Sequence, residues 1–401
     1  KQSGKPNIVV LVIDCGRPDH FSCYGYHRQT TPNIDRLARE GLIFENAYTV
    51  DTASPLSHFA LMSGQADWEG RAWLQRANLG QRAWFLWRRV LRRLGYSDYV
   101  GGYEHEPHSL LQYLNEQGVL TAGLSANHLV SPTTMLPYRG FDYYPEGELF
   151  SGLHKDALVE ERLEHFGVAD TTANRHAVYL TADRVIDLAV ETLRSGRQQA
   201  EQPFFLFMNV MDCHDPYLPH PAFEEDFGFR PNSDFNGDLR NRKGIQGKDK
   251  QESERWVYAD DLDAATIDLL RWNYDRCLGY VDSQVGRFMA ELESRGDLEN
   301  TVLFVLADHD ELLREQQMFG HSLDPSEEQL HIPLIVSGQN FVDGGQRVTG
   351  PASIVDIRPT IFDVLGQRDP FSHRSGSSLL QAERGPRPEL SLDSPAASAM
   401  A

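Results

Sequence analysis

The sequence predicts an α/β fold with a mostly parallel central sheet and helices on both faces, and three observations carry that expectation. Continuous apolar, β-branched runs recur along the chain, amphipathic helical patterns lie between them, and four of five runs break off at Asp, His or Asn. The first run, residues 6–13, has no polar alternation and ends at Asp14. That is the pattern of a strand covered on both faces. A helix is predicted over 32–41 and another over 107–117. The run 119–124 then ends in Ser125-Ala126-Asn127-His128. A helical pattern over 172–195 precedes the run 204–210, which ends in Asp212-Cys213-His214-Asp215. A long helix over 262–296 precedes the run 302–307, which ends in Asp308-His309-Asp310. The fifth run, 332–336, leads into Ser337-Gly338, and a last helix covers 355–366. Alternation of this kind winds a parallel sheet with its connections on both faces. Ligands of such sheets bind outside the carboxyl ends of the strands. One polar strand end is ordinary helix capping; four in one chain mark a site.

Bulk properties narrow the classes. The chain has 401 residues, 40% of them hydrophobic and 24% charged, with a formal net charge of −20. A sizeable core can form, and non-specific nucleic-acid binding is excluded by the sign of the charge. Cys15, Cys23, Cys213 and Cys277 form no Cys-x-x-Cys pair, so neither a structural zinc site nor a disulfide framework is expected. No apolar run is long enough to span a bilayer. With no signal-like stretch the cytoplasm is the preferred compartment, although a chain that starts at Lys1 leaves export open.

One catalytic domain over 1–366 is expected, followed by a short C-terminal remnant and tail over 367–401. Two segments interrupt it: a Trp/Arg-rich insertion over 65–103, with Trp68, Trp73, Trp84 and Trp87, and a polar loop over 223–260. The insertion suits an amphipathic helix at a membrane surface or a grip on a polyanion or sugar. Packing of its tryptophans on the domain is preferred to both.

Asp14, Asp308 and His309 stand at the ends of two central strands. Two carboxylates and an imidazole suit a hard or borderline divalent cation. Between them in sequence, residues 51–64 read as a loop opening a short helix that stops at Gly64. Ser54 is then either the N-cap with Pro55 at the first helical position or a nucleophile where backbone amides favour an anion. The two are compatible. Cys15, beside Asp14, reads as a small residue filling space rather than as a soft ligand.

These motifs resemble the sulfatases of the alkaline-phosphatase superfamily, from about Pro6 to Gly366. The resemblance rests on Asn7–Tyr26 with Asp14, Arg17 and Asp19-His20, and on Thr30–Ala38 followed by Gly41–Phe44. It continues through Phe205–Tyr217 and Tyr280–Asp282, then Asp308-His309, Phe319–His321, Ile332–Ile335 and Val355–Thr360. It implies an alkaline-phosphatase-like fold with a reduced C-terminal subdomain, and one divalent cation held by Asp14, Asp308 and His309. Calcium is the expected ion, with manganese or zinc as alternatives. Cys15 stands where many sulfatases have a second Asp, so the chain is similar to the one-aspartate group that includes phosphonate monoester hydrolases. Ser54 falls at the nucleophile position, His58 where the family has an arginine, and His128 at the histidine of a Lys-x-His element whose lysine is here Ala126. His214 matches the substrate-binding histidine, and His321 falls near the leaving group.

The departures bear on chemistry. Formylglycine formation is not expected, because Pro55 follows Ser54 directly and position 56 is Leu. The family implies a sulfate ester substrate, while a plain serine activated by a cation leans towards phosphoryl transfer. The expected function is therefore metal-dependent cleavage of a sulfate ester, with serine-dependent phosphatase, phosphodiesterase or phosphonate monoester hydrolase activity as the alternative. A degenerate member that binds an anion or a partner without turnover is the third. The expected partner is an anionic ester, such as a sulfated or phosphorylated glycan or lipid.

Overall fold

The computed structural model describes residues 5–66, 109–145, 180–197, 202–215, 217–228, 257–258, 263–321, 325–370 and 376–381. Most of the 65–103 insertion, most of the 223–260 loop and the tail beyond 381 lie outside the described residues. Strands are β1 (Asn7–Ile13), β2 (Leu42–Phe44), β3 (Ala47–Tyr48), β4 (Leu120–Ser125), β5 (Phe204–Val210), β6 (Val257–Tyr258), β7 (Thr301–Leu306), β8 (Leu312–Leu313), β9 (Met318–Gly320), β10 (Leu334–Ser337), β11 (Gln346–Val348) and β12 (Ala352–Ser353). Helices are α1 (Pro32–Glu40), α2 (Ser54–Ser63), α3 (Leu110–Glu116), α4 (Ala182–Ser195), α5 (Ala264–Ser294), α6 (Glu327–Leu330) and α7 (Ile357–Val364).

Among the described residues, seven strands form the main sheet in the order β11-β2-β10-β7-β1-β5-β4. β1 pairs in parallel with β5 and β7, and β4 in parallel with β5. β10 runs antiparallel to both β7 and β2, so the sheet is mixed. This explains why the fifth apolar run leads to no site residue. Ser337 pairs with Leu303 near the start of β7, while Leu334 pairs with Leu306 at its end. The polar end of β10 therefore falls at the opposite edge from Asp14 and Asp308.

Alternate residues of β1 face two apolar layers. Val9, Leu11 and Ile13 pack with Ile34, Leu37, Val185, Ile186, Leu270 and Tyr274 from α1, α4 and α5. Ile8, Val10 and Val12 pack with Phe59, Leu61, Leu110, Leu114, Ile361 and Phe362 from α2, α3 and α7. All seven residues of β1 are buried, as its unbroken apolar run requires.

α1 follows the loop that carries Asp14, and it is capped from a distance. Thr31 makes no side-chain cap bond at its N-terminus. Instead Asp282, on α5, accepts the backbone N–H of Asn33 at 3.1 Å and of Ile34 at 2.8 Å, and the Asn33 amide at 2.8 Å. These are the donors that a helix start leaves unsatisfied. Burial pushes the Asp282 carboxyl up to about 6, against the pull of those N–H groups.

Candidate active site

The carboxyl ends of β1, β4, β5 and β7 converge on one buried cluster. Asp14 extends the β1 ladder by one bond, its N–H donating to Val210 O at 2.9 Å. Its side chain then leaves the sheet edge. Cys15 adopts φ 59°, a left-handed conformation costly for a residue with a Cβ. The hydroxyl of Tyr274, from α5, holds it there by donating to Cys15 O at 2.7 Å and accepting from Arg17 N–H at 2.8 Å. Arg17 fastens this loop to the one after β7. Its Nη1 donates to Glu311 O at 2.6 Å, and its guanidinium pairs with Asp19 at 2.8 Å and Glu315 at 3.1 Å.

Ser54 departs from the N-cap expectation. The cap is Ala53, and Ser54 is the first residue of α2 with Pro55 beside it. Its hydroxyl is thus not spent on capping. It donates to Asp14 Oδ2 at 3.3 Å and lies 3.1 Å from His309 Nε2. Gly64 ends the helix at φ 70°, as the sequence indicates.

Asp14, Asp308 and His309 are all fully buried. His309 Nε2 stands 4.0 Å from Asp14 Oδ1 and 3.5 Å from Asp308 Oδ2. Burial pushes the Asp308 carboxyl up, but His309 first, then the hydrogen bond and charge of His58, outweigh it and hold it well below the usual carboxylate range. Asp308 Oδ2 nevertheless lacks a hydrogen bond of good geometry, though buried. A buried anionic oxygen left so, among nitrogen and oxygen donors 3–4 Å apart, fits a divalent cation.

His58 is placed differently from expectation. It is fully buried, with Nδ1 2.8 Å from the Tyr138 hydroxyl and Nε2 3.3 Å from Asp308 Oδ2. Both ring nitrogens are thus engaged by Tyr138 and Asp308. His128 is exposed on the turn after β4. The inward place belongs to its neighbour Asn127, buried and donating to Asp14 Oδ2 at 3.0 Å.

His214 and His321 meet beside the cluster, with ring centroids 4.7 Å apart, and His321 lies 4.5 Å from the His309 ring. Burial alone would lower the His214 pKa, but Asp215 raises it to about 10; its Oδ1 is 3.0 Å from Nδ1. Burial also opposes the charge on His321, and Glu311, with Oε1 at 3.2 Å from Nδ1, raises its pKa on balance. Cys15 Sγ lies 3.4 Å from Asp14 Oδ1, 3.8 Å from His309 Nδ1 and 3.6 Å from His321 Nδ1. Sequence reasoning passed over Asn127, Glu311 and Asp215. Each sits within three residues of a flagged histidine or aspartate at a strand end, and that was the available signal.

The mixed, mostly parallel α/β sheet makes this an alkaline-phosphatase-like fold. A family model described as Sulfatase matches residues 6–367. The chain belongs to the sulfatase family, whose members typically bind a divalent metal, and it is a hydrolase of that family. It is 22% identical to the N-acetylglucosamine-6-O-sulfatase of Bacteroides thetaiotaomicron, over 94% of this chain and 71% of that one. It is 24% identical to a multifunctional alkaline phosphatase superfamily protein of Trinickia caryophylli, over 94% of this chain and 76% of the relative. The solved phosphonate monoester hydrolase of Agrobacterium radiobacter superposes with a TM-score of 0.65 at 19% identity, covering 96% of this chain and 78% of that one.

Proposed function

We propose that the chain hydrolyses a sulfate ester with Ser54 as nucleophile, and that Asp14, Asp308 and His309 hold one divalent cation, calcium in the first instance. The observation that carries this is the Ser54 hydroxyl, 3.3 Å from Asp14 and 3.1 Å from His309 at the start of α2. A cation bound there supplies Lewis-acid charge that lowers the pKa of the serine hydroxyl and draws in an anionic ester. Ser54 Oγ attacks sulfur in line, and its proton leaves along the hydrogen bond to Asp14 Oδ2. The amides at the start of α2 and the raised-pKa His214 face the developing charge. His321 protonates the departing alcohol. Water then cleaves the seryl ester. Asn127 and His58 keep the two carboxylates aimed, and Arg17 ties their loops together.

One observation favours a second ester. Ser54 lies outside the sequence context for formylglycine, and an unmodified serine transfers phosphoryl more readily than sulfuryl groups. A phosphate, phosphodiester or phosphonate ester is therefore the second reading. The partner in either case is an anionic ester; the named sulfatase relative makes a sulfated amino sugar the first to try. Intact mass of the Ser54 peptide, with turnover of aryl sulfate, aryl phosphate and a phosphodiester under added calcium, manganese or zinc, tests it. Turnover of the sulfate alone supports the first ester, turnover of the phosphorus esters alone supports the second, and no turnover of any overturns both.

A further inference from the structure

A pocket of about 420 Å³ opens at the same edge of the sheet as the catalytic cluster, and none of Asp14, Ser54, Asp308, His309, His214 or His321 lines it. Its walls carry Arg17 and Asp19 from the loop after β1, Glu45 after β2, Asp310 after β7, and Glu327 and Glu328 at the start of α6. Charge on these walls is unbalanced. Arg17 pairs with Asp19 at 2.8 Å and with Glu315 at 3.1 Å, and Arg347, which also lines the pocket, pairs with Glu45 at 2.7 Å. Glu327 accepts the Tyr48 hydroxyl at 3.3 Å, and neither it nor Glu328 has a cationic partner among the described residues.

Exposed carboxylates at a helix start are ordinary by themselves. Asp310 is not of that kind. It is only 3% exposed, yet it lines the pocket. Its Oδ1 accepts the Glu311 N–H at 2.6 Å, and no hydrogen bond or ion pair reaches its Oδ2 among the described residues. Arg17, whose charge pulls on it, spends its own N–H groups on Asp19, Glu315 and Glu311 O. Burial pushes the Asp310 carboxyl well up, and Arg17 opposes this only in part. Even with Asp310 left out of the count, Asp19, Glu45, Glu327 and Glu328 exceed Arg17 and Arg347 by two negative charges. A buried oxygen without a donor, facing an acidic pocket, asks for a cationic donor.

We propose that this pocket binds a small organic cation through a primary ammonium group, with Asp310 as the buried anchor and Glu327 and Glu328 nearer solvent. An ammonium carries three diverging N–H donors, and the carboxylates here come from separate elements and approach from different sides. A guanidinium is a planar fork that matches one carboxylate. A bare divalent cation needs ligand atoms that converge, and among the described residues no three of these groups bring theirs within 4.8 Å of one another. Tyr24 supplies a wall for the stem. Its hydroxyl is tied to Phe44 O and Leu334 O at 3.1 Å and to the Leu334 N–H at 2.8 Å, which leaves its ring for the ligand. The same charge repels an anion, so this ligand is not the ester, and the inference does not rest on which ester is cleaved. Arg17 lines the pocket and also bonds Glu311 O at 2.6 Å, so a ligand there rests against the tie between the β1 and β7 loops.

The test is made on the full chain with calcium present and at fixed ionic strength. Butylammonium is titrated by saturation-transfer NMR, with butanol as its uncharged counterpart and magnesium as a bare cation. Expected are saturable binding of butylammonium and none of butanol. Asp310→Asn weakens that binding at least about tenfold, the worth of a hydrogen bond to a charged group. The double variant Glu327→Gln, Glu328→Gln weakens it about threefold, as exposed charges do. Glu116→Gln, at an exposed carboxylate on α3, leaves it unchanged. If Asp310→Asn does not fold, the double variant decides. Absence of saturable binding overturns the proposal, and so does equal binding of butanol or displacement by an equal concentration of magnesium. Equal weakening by Glu116→Gln overturns it too, since attraction by net charge alone would then explain the binding.

Discussion

Asp308→Asn is the most informative change to the proposed catalytic centre. The substitution keeps the shape of the side chain and removes one negative charge from a fully buried position. That charge stands 3.3 Å from His58 Nε2 and 3.5 Å from His309 Nε2. His309 first, then His58, hold its carboxyl well below the usual carboxylate range. At an effective dielectric of about 20, a unit charge pair at about 4 Å is worth about 4 kcal/mol. Loss of that much attraction for a cation raises its Kd by about a thousandfold. Calorimetric titration of the metal-free chain with calcium or manganese measures this directly. Turnover at subsaturating cation falls in step, and circular dichroism confirms that the fold survives. A variant that binds the cation within threefold of wild type, with unchanged turnover, would remove residue 308 from the cation site and with it the argument from the unsatisfied Oδ2.

Three further outcomes are expected. Ser54→Ala lowers kcat by at least about a thousandfold with little change in cation affinity, because only the nucleophile is lost; steady-state kinetics on the active ester checks both. Asp282→Asn changes the pH dependence of stability. The wild-type carboxyl titrates near 6 in the folded chain and near about 3.9 when unfolded, so the folded form holds the extra proton in between. Its contribution is therefore greatest below about pH 4 and is lost as pH rises through 6, by about 3 kcal/mol; denaturant titrations of both chains across that window show the slope in the wild type only. Arg17→Gln breaks the bonds to Glu311 O, Asp19 and Glu315 and costs about 2–4 kcal/mol, with a loss of kcat larger than any change in KM, measured by urea unfolding and kinetics.

Much of the fold was legible because β1, β4, β5 and β7 are buried on both faces, and full burial writes itself as an unbroken apolar run. The direction of β10 was not legible. An apolar strand reads the same forwards and backwards, and only its pairing with Leu306 and Leu303 fixes its sense. Within the site, residues at strand ends were found because strand ends are visible in a sequence. Asp14, Ser54, Asp308 and His309 come together, with His214 and His321 alongside. Which of two adjacent residues turns inward was not visible: Asn127 points to Asp14 while His128 is exposed, and one backbone turn decides it. The placement of the Cys15 side chain was hidden for a related reason. Its inward aim depends on a left-handed φ held by a tyrosine about 260 positions away, and no local pattern encodes that.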